Sequence, residues 1–241
     1  MKKYFITSLV ILGLLIPSVS FGTTAIFYPS LDGYVSRRNV AESWATLVAG
    51  AGNEVNSTNA TDFVAETDGT TGTGNFSSLV RGVTLFDTSA IPSNATISSA
   101  SITFYGYNQS NDLSIAPLDF VSNTITSTSS FQNSDYNVAN WGSTVFASST
   151  YANLHIGTST ANVFTLNTSG VANITKGGIS KFGFRWDNDI SGTAPTWVNG
   201  GYSYLRVYMS DSVGTSTDPY LTVTYTVPPV TRKIIGTGIT R

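Results

Sequence analysis

Residues 81–107, RGVTLFDTSAIPSNATISSASITFYGY, decide the fold. Val83 and Leu85 flank Thr84, and Phe86-Asp87 lead into Ser89-Ala90-Ile91-Pro92-Ser93-Asn94. Beyond that turn, Ala100, Ile102 and Phe104 alternate with Ser101, Thr103 and Tyr105. Successive side chains of a strand point to opposite faces. A period of two on both sides of a turn rich in Pro, Ser and Asn therefore predicts two half-buried strands joined as a central hairpin.

The same period recurs downstream. Phe182, Phe184 and Trp186 oppose Lys181, Gly183 and Arg185; Leu205, Val207 and Met209 oppose Tyr204, Arg206 and Tyr208; Leu221, Val223 and Tyr225 oppose Thr222 and Thr224. Residues 25–29 read as an edge strand, because Pro29 cannot donate to a ladder. Residues 113–121 and 162–166 read as strands, and residues 44–48, around Trp44, as strand material. One short helix is predicted over residues 170–176, capped by Thr168-Ser169 and stopped by Gly177-Gly178. Residues 50–78, rich in Gly, Thr, Asn and Asp, read as a long surface loop carrying one hairpin. Eight to ten short strands without strand–helix alternation predict an all-β fold: an antiparallel two-sheet β-sandwich, a jelly roll, with one short helix.

Residues 1–22 read as a secretory signal peptide. Lys2 and Lys3 precede an apolar run from Tyr4 to Ile16, then Pro17 and the small residues of Ser20-Phe21-Gly22. The run is shorter than the ~20 residues a bilayer crossing needs. The domain then spans residues 23–227, and residues 228–241, opened by Pro228-Pro229, form a linker or tail. The expected location is secreted, extracellular or at a cell surface. Only 11% of the residues are charged and the net charge is −2. No basic stripe offers itself to phosphate backbones, which argues against nucleic acid as a partner. Cysteine is absent, which excludes disulfides, thiol catalysis and thiolate zinc sites, and leaves stability to the apolar core.

Catalytic signals are poor. His155 is the single histidine and reads as an ordinary strand or loop residue; no Gly-x-Ser-x-Gly elbow occurs. Glu42, Glu54 and Glu66 are the only glutamates, and no spacing marks a carboxylate pair of the kind glycoside hydrolysis needs. The chain is read as no enzyme. Sugar sites combine aromatic rings, which stack on C–H faces, with amides or acids for the hydroxyls. Trp197, Asn199 and Tyr202, in a Gly-rich loop, have that make-up, and Trp141, flanked by Asn140 and Gly142, is a second candidate. Asp187, Asn188 and Asp189 are the best oxygen cluster for a structural calcium ion, with Asp211 and Asp218 as others. Asp, Asn and Gly clusters are also what turns require.

Arg81-x-x-x-Leu85-Phe86-Asp87-Thr88-Ser89-x-Ile91-Pro92-x-x-Ala95-x-Ile97-x-x-Ala100 resembles the signature of the DNRLRE-type, carbohydrate-binding-module-like jelly rolls of secreted bacterial proteins. The ending is similar as well: Leu205-Arg206-Val207-Tyr208-Met209-Ser210, then Asp218-Pro219-Tyr220-Leu221-Thr222-Val223-Thr224-Tyr225. The resemblance covers most of residues 34–225. It implies the jelly-roll architecture and a sugar-binding, surface-adhesive or spacer role. A polysaccharide or cell-surface glycan is the partner it suggests. A structural spacer with no small ligand, and a polysaccharide-cleaving enzyme, stand as alternatives. Exposure of Trp141, Trp197 and Tyr202 in one groove would separate glycan binding from the spacer.

Overall fold

A computed structural model describes residues 22–229. The leader reading, apart from Gly22, and the tail from Val230 onward lie outside these residues. The elements in chain order are β1 (Thr23–Phe27), β2 (Pro29–Arg37), α1 (Trp44–Ala49), β3 (Glu54–Asn56), β4 (Thr61–Gly69), β5 (Phe76–Asp87), β6 (Thr96–Phe104) and β7 (Gly106–Asn111). Then come β8 (Leu118–Ser122), β9 (Ala147–Ser149), β10 (Asn162–Thr165), α2 (Thr168–Ala172), β11 (Ile179–Trp186), α3 (Asp187–Ser191), β12 (Tyr202–Tyr208) and β13 (Tyr220–Thr226).

They form two antiparallel sheets. The smaller runs β1-β13-β6-β10; the larger runs β7-β12-β4-β5-β11-β8-β9, with β2 paired to β5 and β3 to β2. Pairings such as β13 with β6 and β11 with β5 join strands far apart in sequence, as the sandwich reading requires. The two sheets meet through aromatic rings, of which alternation placed Phe104 and Phe184 inward. Phe104 of β6 and Phe164 of β10 pack against Phe120 of β8 and Phe184 of β11, with centroids 4.7 to 6.4 Å apart across the layers. Leu205, Leu221 and Val223 are fully buried.

The stretch that revealed the strands misled on their pairing. β5 and β6 are consecutive but lie in different sheets, so the connection through Ile91-Pro92 is no hairpin turn; it crosses from one layer to the other. Ile91 is fully buried and plugs that end of the sandwich, while the Thr88 hydroxyl lies 2.7 Å from the Thr175 carbonyl. Alternation reports that one face is buried, not which strand lies beside it. A second switch follows at once, because β6 and β7 are separated only by Tyr105 yet belong to different sheets.

β5 is the axis of the larger sheet. One edge pairs with β2 along Leu79–Phe86; the other pairs with β4 up to Arg81 and with β11 from Gly82 onward. The sheet forks at Gly82, where a Cβ would sit 2.5 Å from the Val64 carbonyl oxygen and 2.8 Å from its Cα. Backbone cannot swing aside as a side-chain tip can. Gly82→Ala is expected to cost about 1–3 kcal/mol through overpacking, read as a lower urea midpoint at unchanged slope; a midpoint equal to the wild type would remove the fork as the reason for this glycine.

Among the described residues three short α-helices, rather than the one expected, accompany the strands, together with three 3₁₀ turns. The 44–48 reading is corrected: Ser43 Oγ accepts from the Thr46 amide and caps α1, which buries Trp44 and Leu47, three residues apart on one face. In α2 the cap is Asn167, one residue before the expected pair. The expected long loop at 50–78 instead contains β3, β4 and the start of β5.

Candidate functional site

β12 has the burial pattern of a strand with one wet face. Ser203, Leu205 and Val207 are buried, whereas Tyr202, Tyr204, Arg206 and Tyr208 lie on the opposite, more accessible side. At ~3.4 Å per residue the four span about 20 Å. β7 extends the stripe. Tyr107 is exposed, its ring sits edge-on to Tyr208 at 5.5 Å, and the Arg206 guanidinium lies 5.4 Å from its centroid. Arg206 is further held by the Thr61 carbonyl at 3.4 Å.

On the other flank lies β4. Glu66 pairs with Tyr204 and Asp68 with Tyr202. Directly paired residues share a face. The registers therefore place Glu54, Ser36, Val80, Glu66, Tyr204 and Ser110 in one row across β3, β2, β5, β4, β12 and β7. Arg38 spans part of that row. Its Nη2 donates to Glu66 at 2.7 Å, its Nη1 lies 3.5 Å from Glu54, and its guanidinium rests 4.9 Å from the Tyr34 ring centroid. Tyr34 in turn donates to Glu54.

Electrostatics follow from burial. Glu66 is only 6% exposed. Desolvation raises its carboxyl to about 8, against the pull of Arg38, and Asp68, Glu54 and Asp62 push the same way. Asp68 is raised to about 6, again chiefly by burial, while hydrogen bonds with Ser78 and Glu66 and the charge of Arg38 oppose the rise. Asp68 Oδ1 is buried with no hydrogen-bond partner. Burial first, then Tyr204 and Asp112, also raise the Tyr151 hydroxyl, which places the turn at Tyr151–Asn153 beside the stripe. The assembly can present ring faces and hydroxyls to a flat ligand along a line, with acceptors at its margin.

The residues expected from sequence fare unequally. Tyr202 is 55% exposed and heads the stripe. Trp197 is half-buried against the core, and its indole N–H donates at 2.8 Å to the Asn75 carbonyl, which also accepts from the Thr70 amide in the β4–β5 turn. Asn199 is exposed, with its side-chain oxygen accepting from the Gly72 amide at 2.7 Å. Trp141 is a correction. Its ring is 6% exposed, its N–H donates to the Asp135 carbonyl, and it lies against Gly183, where a Cβ would come within 2.4 Å of it. It is a structural ring under the 123–146 segment, not a platform.

The oxygen cluster is corrected as well. Asp187, Asn188 and Asp189 open α3. Asp189 is 1% exposed, with both carboxylate oxygens held by Arg81 and Arg185. Asn188 accepts from the Ala116 amide and donates to the Thr193 carbonyl. With three hydrogen bonds from two guanidinia on its oxygens, and those two positive charges beside it, the Asp189 carboxylate is neutralised as a ligand for a hard cation. Asp218 and Asp211 lie near Asp32, whose own oxygens accept from Ser210. Among the described residues no group of three His, Cys, Asp or Glu side chains is placed to hold a metal ion.

The strand that carries Glu66 and Asp68 lies where a surface loop is expected from sequence. Glu54 and Glu66 sit in a stretch whose Gly, Thr and Asn content signals loop. The signal present is the two-residue spacing of Glu66 and Asp68, which puts both acids on one face of a strand, opposite Tyr204 and Tyr202. No protein-family model and no curated protein matches the chain. Among the described residues no helix is long and apolar enough to cross a membrane.

Proposed function

We propose that this chain is a secreted, non-enzymatic module of the DNRLRE-like kind that binds glycan along β12. The observation that carries the reading is the line Tyr202, Tyr204, Arg206 and Tyr208, widened by Tyr107. Successive ring faces along a strand offer a track for a polymer rather than a pocket for a monomer. The non-enzymatic part is supported by the carboxyl geometry. Glu66 and Asp68 share a hydrogen bond, whereas the pairs that cleave glycosides stand roughly 5–10 Å apart. Arg38 occupies the space between Glu54 and Glu66.

Isothermal titration against a glycan panel tests this. Tyr204→Ala is expected to weaken binding about tenfold, since a stacked ring contributes ~1–1.5 kcal/mol. Ile26→Ala, an exposed change on the smaller sheet, is expected to leave it unaltered. Equal affinity in the wild type and Tyr204→Ala removes β12 as the site.

The spacer reading keeps one observation. Burial of Trp141 and half-burial of Trp197 take away the loop groove that glycan binding was first expected to use. In addition, β1, β13, β6 and β10 contain no charged residue, a neutral Ser/Thr face suited to packing among copies. Self-association of the purified protein with no affinity on the panel would favour it.

A further inference from the structure

The surroundings of the β12 stripe bear on which glycan it takes. Carboxyl groups outnumber guanidinia there, even with Glu66 holding its proton to about pH 8. Asp112 is exposed beside Tyr202, whose amide it accepts at 3.1 Å. The Glu54 side chain is 40% exposed at the far end of the row. Glu66 and Asp68 stand directly across from Tyr204 and Tyr202. The two guanidinia are already engaged: Arg38 with Glu54 and Glu66, Arg206 with Thr61 and the Tyr107 ring. Tyrosine faces carry negative quadrupole and attract cations, and a cleft lined by one sign of charge concentrates the opposite sign. Asp68 Oδ1 is an independent sign of an absent donor. It belongs to a residue only 8% exposed, is buried beside the stripe and has no partner, which is costly unless something donates to it.

We infer that the stripe is built for a cationic polysaccharide, a chain of amino sugars with free ammonium groups, whose C–H faces lie on Tyr202, Tyr204 and Tyr208 while its amines meet Asp112, Asp68 and Glu54. This rests on the reading of β12 as a glycan track. A uronic-acid polymer would set its carboxylates against those of the protein. A fully N-acetylated polymer would offer the same ring faces without the charge, leaving the carboxylates unanswered.

Titration of the protein with three oligosaccharides of equal length separates the cases: oligoglucosamine, its fully N-acetylated form, and oligogalacturonate. Oligoglucosamine is expected to bind at least about tenfold more tightly than the acetylated form, with the advantage shrinking at high salt as exposed charges are screened. Glu54→Gln combined with Asp112→Asn is expected to narrow that ratio. Tighter or equal binding of the acetylated or uronate form, with Tyr204→Ala still weakening it, overturns the charge inference and leaves the track. No binding of any of the three overturns both.

Discussion

Asp189→Ala is expected to cost about 3–5 kcal/mol, the usual penalty for breaking a buried ion pair by removing one partner. The geometry explains the size. Asp189 accepts from Arg81 Nε at 2.8 Å and Nη2 at 2.7 Å, and from Arg185 Nε at 2.6 Å, all inside the fold. Arg81 is completely buried and Arg185 nearly so. The triad carries two positive charges and one negative. The excess is spread over the Tyr136 and Val48 carbonyls, the Tyr136 ring 4.2 Å from the Arg81 guanidinium, and the Gly142 carbonyl at Arg185. Burial alone would raise the Asp189 carboxyl, but the two arginines overcome it and hold it below the ordinary range. Its stabilising contribution is therefore present above the unfolded carboxylate value and is lost as the pH falls through the folded one. In Asp189→Ala two like charges face each other in a dry interior. Urea denaturation measures the loss, and a change under ~1 kcal/mol would sink the account. A triple variant, Arg81→Met, Asp189→Leu and Arg185→Met, is expected to recover much of the stability, because apolar replacements of a whole buried cluster are often neutral or better.

That triad shows what sequence could and could not give. Arg81 stood out as the head of the family-like signature, and Asp189 as an acid near a strand end, yet nothing in either neighbourhood tied them together across 108 residues. Alternation located β6, β11, β12 and β13 and their inward faces, because burial of one face imposes a period of two wherever a strand runs long enough. It missed β3 and β9, of three residues each, too short to show any period. It failed at Trp44, where the helix declares itself through a Ser43 cap and a three-residue spacing that a mostly apolar run of five residues conceals. Trp141 and Trp197 were read by composition. Aromatic rings beside Asn and Gly mark sugar sites, but they also mark tight loops in which glycine makes room for a ring, and Gly183 and Gly69 do that here. The stripe on β12 was visible as Tyr204, Arg206 and Tyr208 opposite Leu205 and Val207. Its significance waited on β7 and β4 being placed beside it.

Glu66→Gln is expected to change the pH dependence of stability more than any other conservative substitution at the site. The wild-type carboxyl holds its proton more tightly folded, to about pH 8, than its ordinary value of 4.5. A raised folded value means the stabilising contribution is complete below the ordinary value and is lost as the pH rises through the folded one. Asp68, raised from 3.8 to about 6, acts in the same direction over a lower window. Taken alone, Glu66 implies a loss on the order of 4 kcal/mol between about pH 5 and about pH 9. Glutamine has the same shape, still accepts from Arg38 through its amide oxygen, and can donate to Asp68, but has no proton to lose. The variant should therefore be the more stable protein at about pH 9, with a flatter profile, while near pH 5 the two should differ little. Urea midpoints across that range decide it, and parallel curves would show that the Glu66 proton contributes nothing. The consequence reaches the stripe, because Glu66 stands opposite Tyr204. Ionising it places a second negative charge beside Asp68 under the tyrosine track, with the Arg38 charge opposing both rises. Alkaline pH should thus loosen the β4 flank of the platform through repulsion between the Glu66 and Asp68 carboxylates.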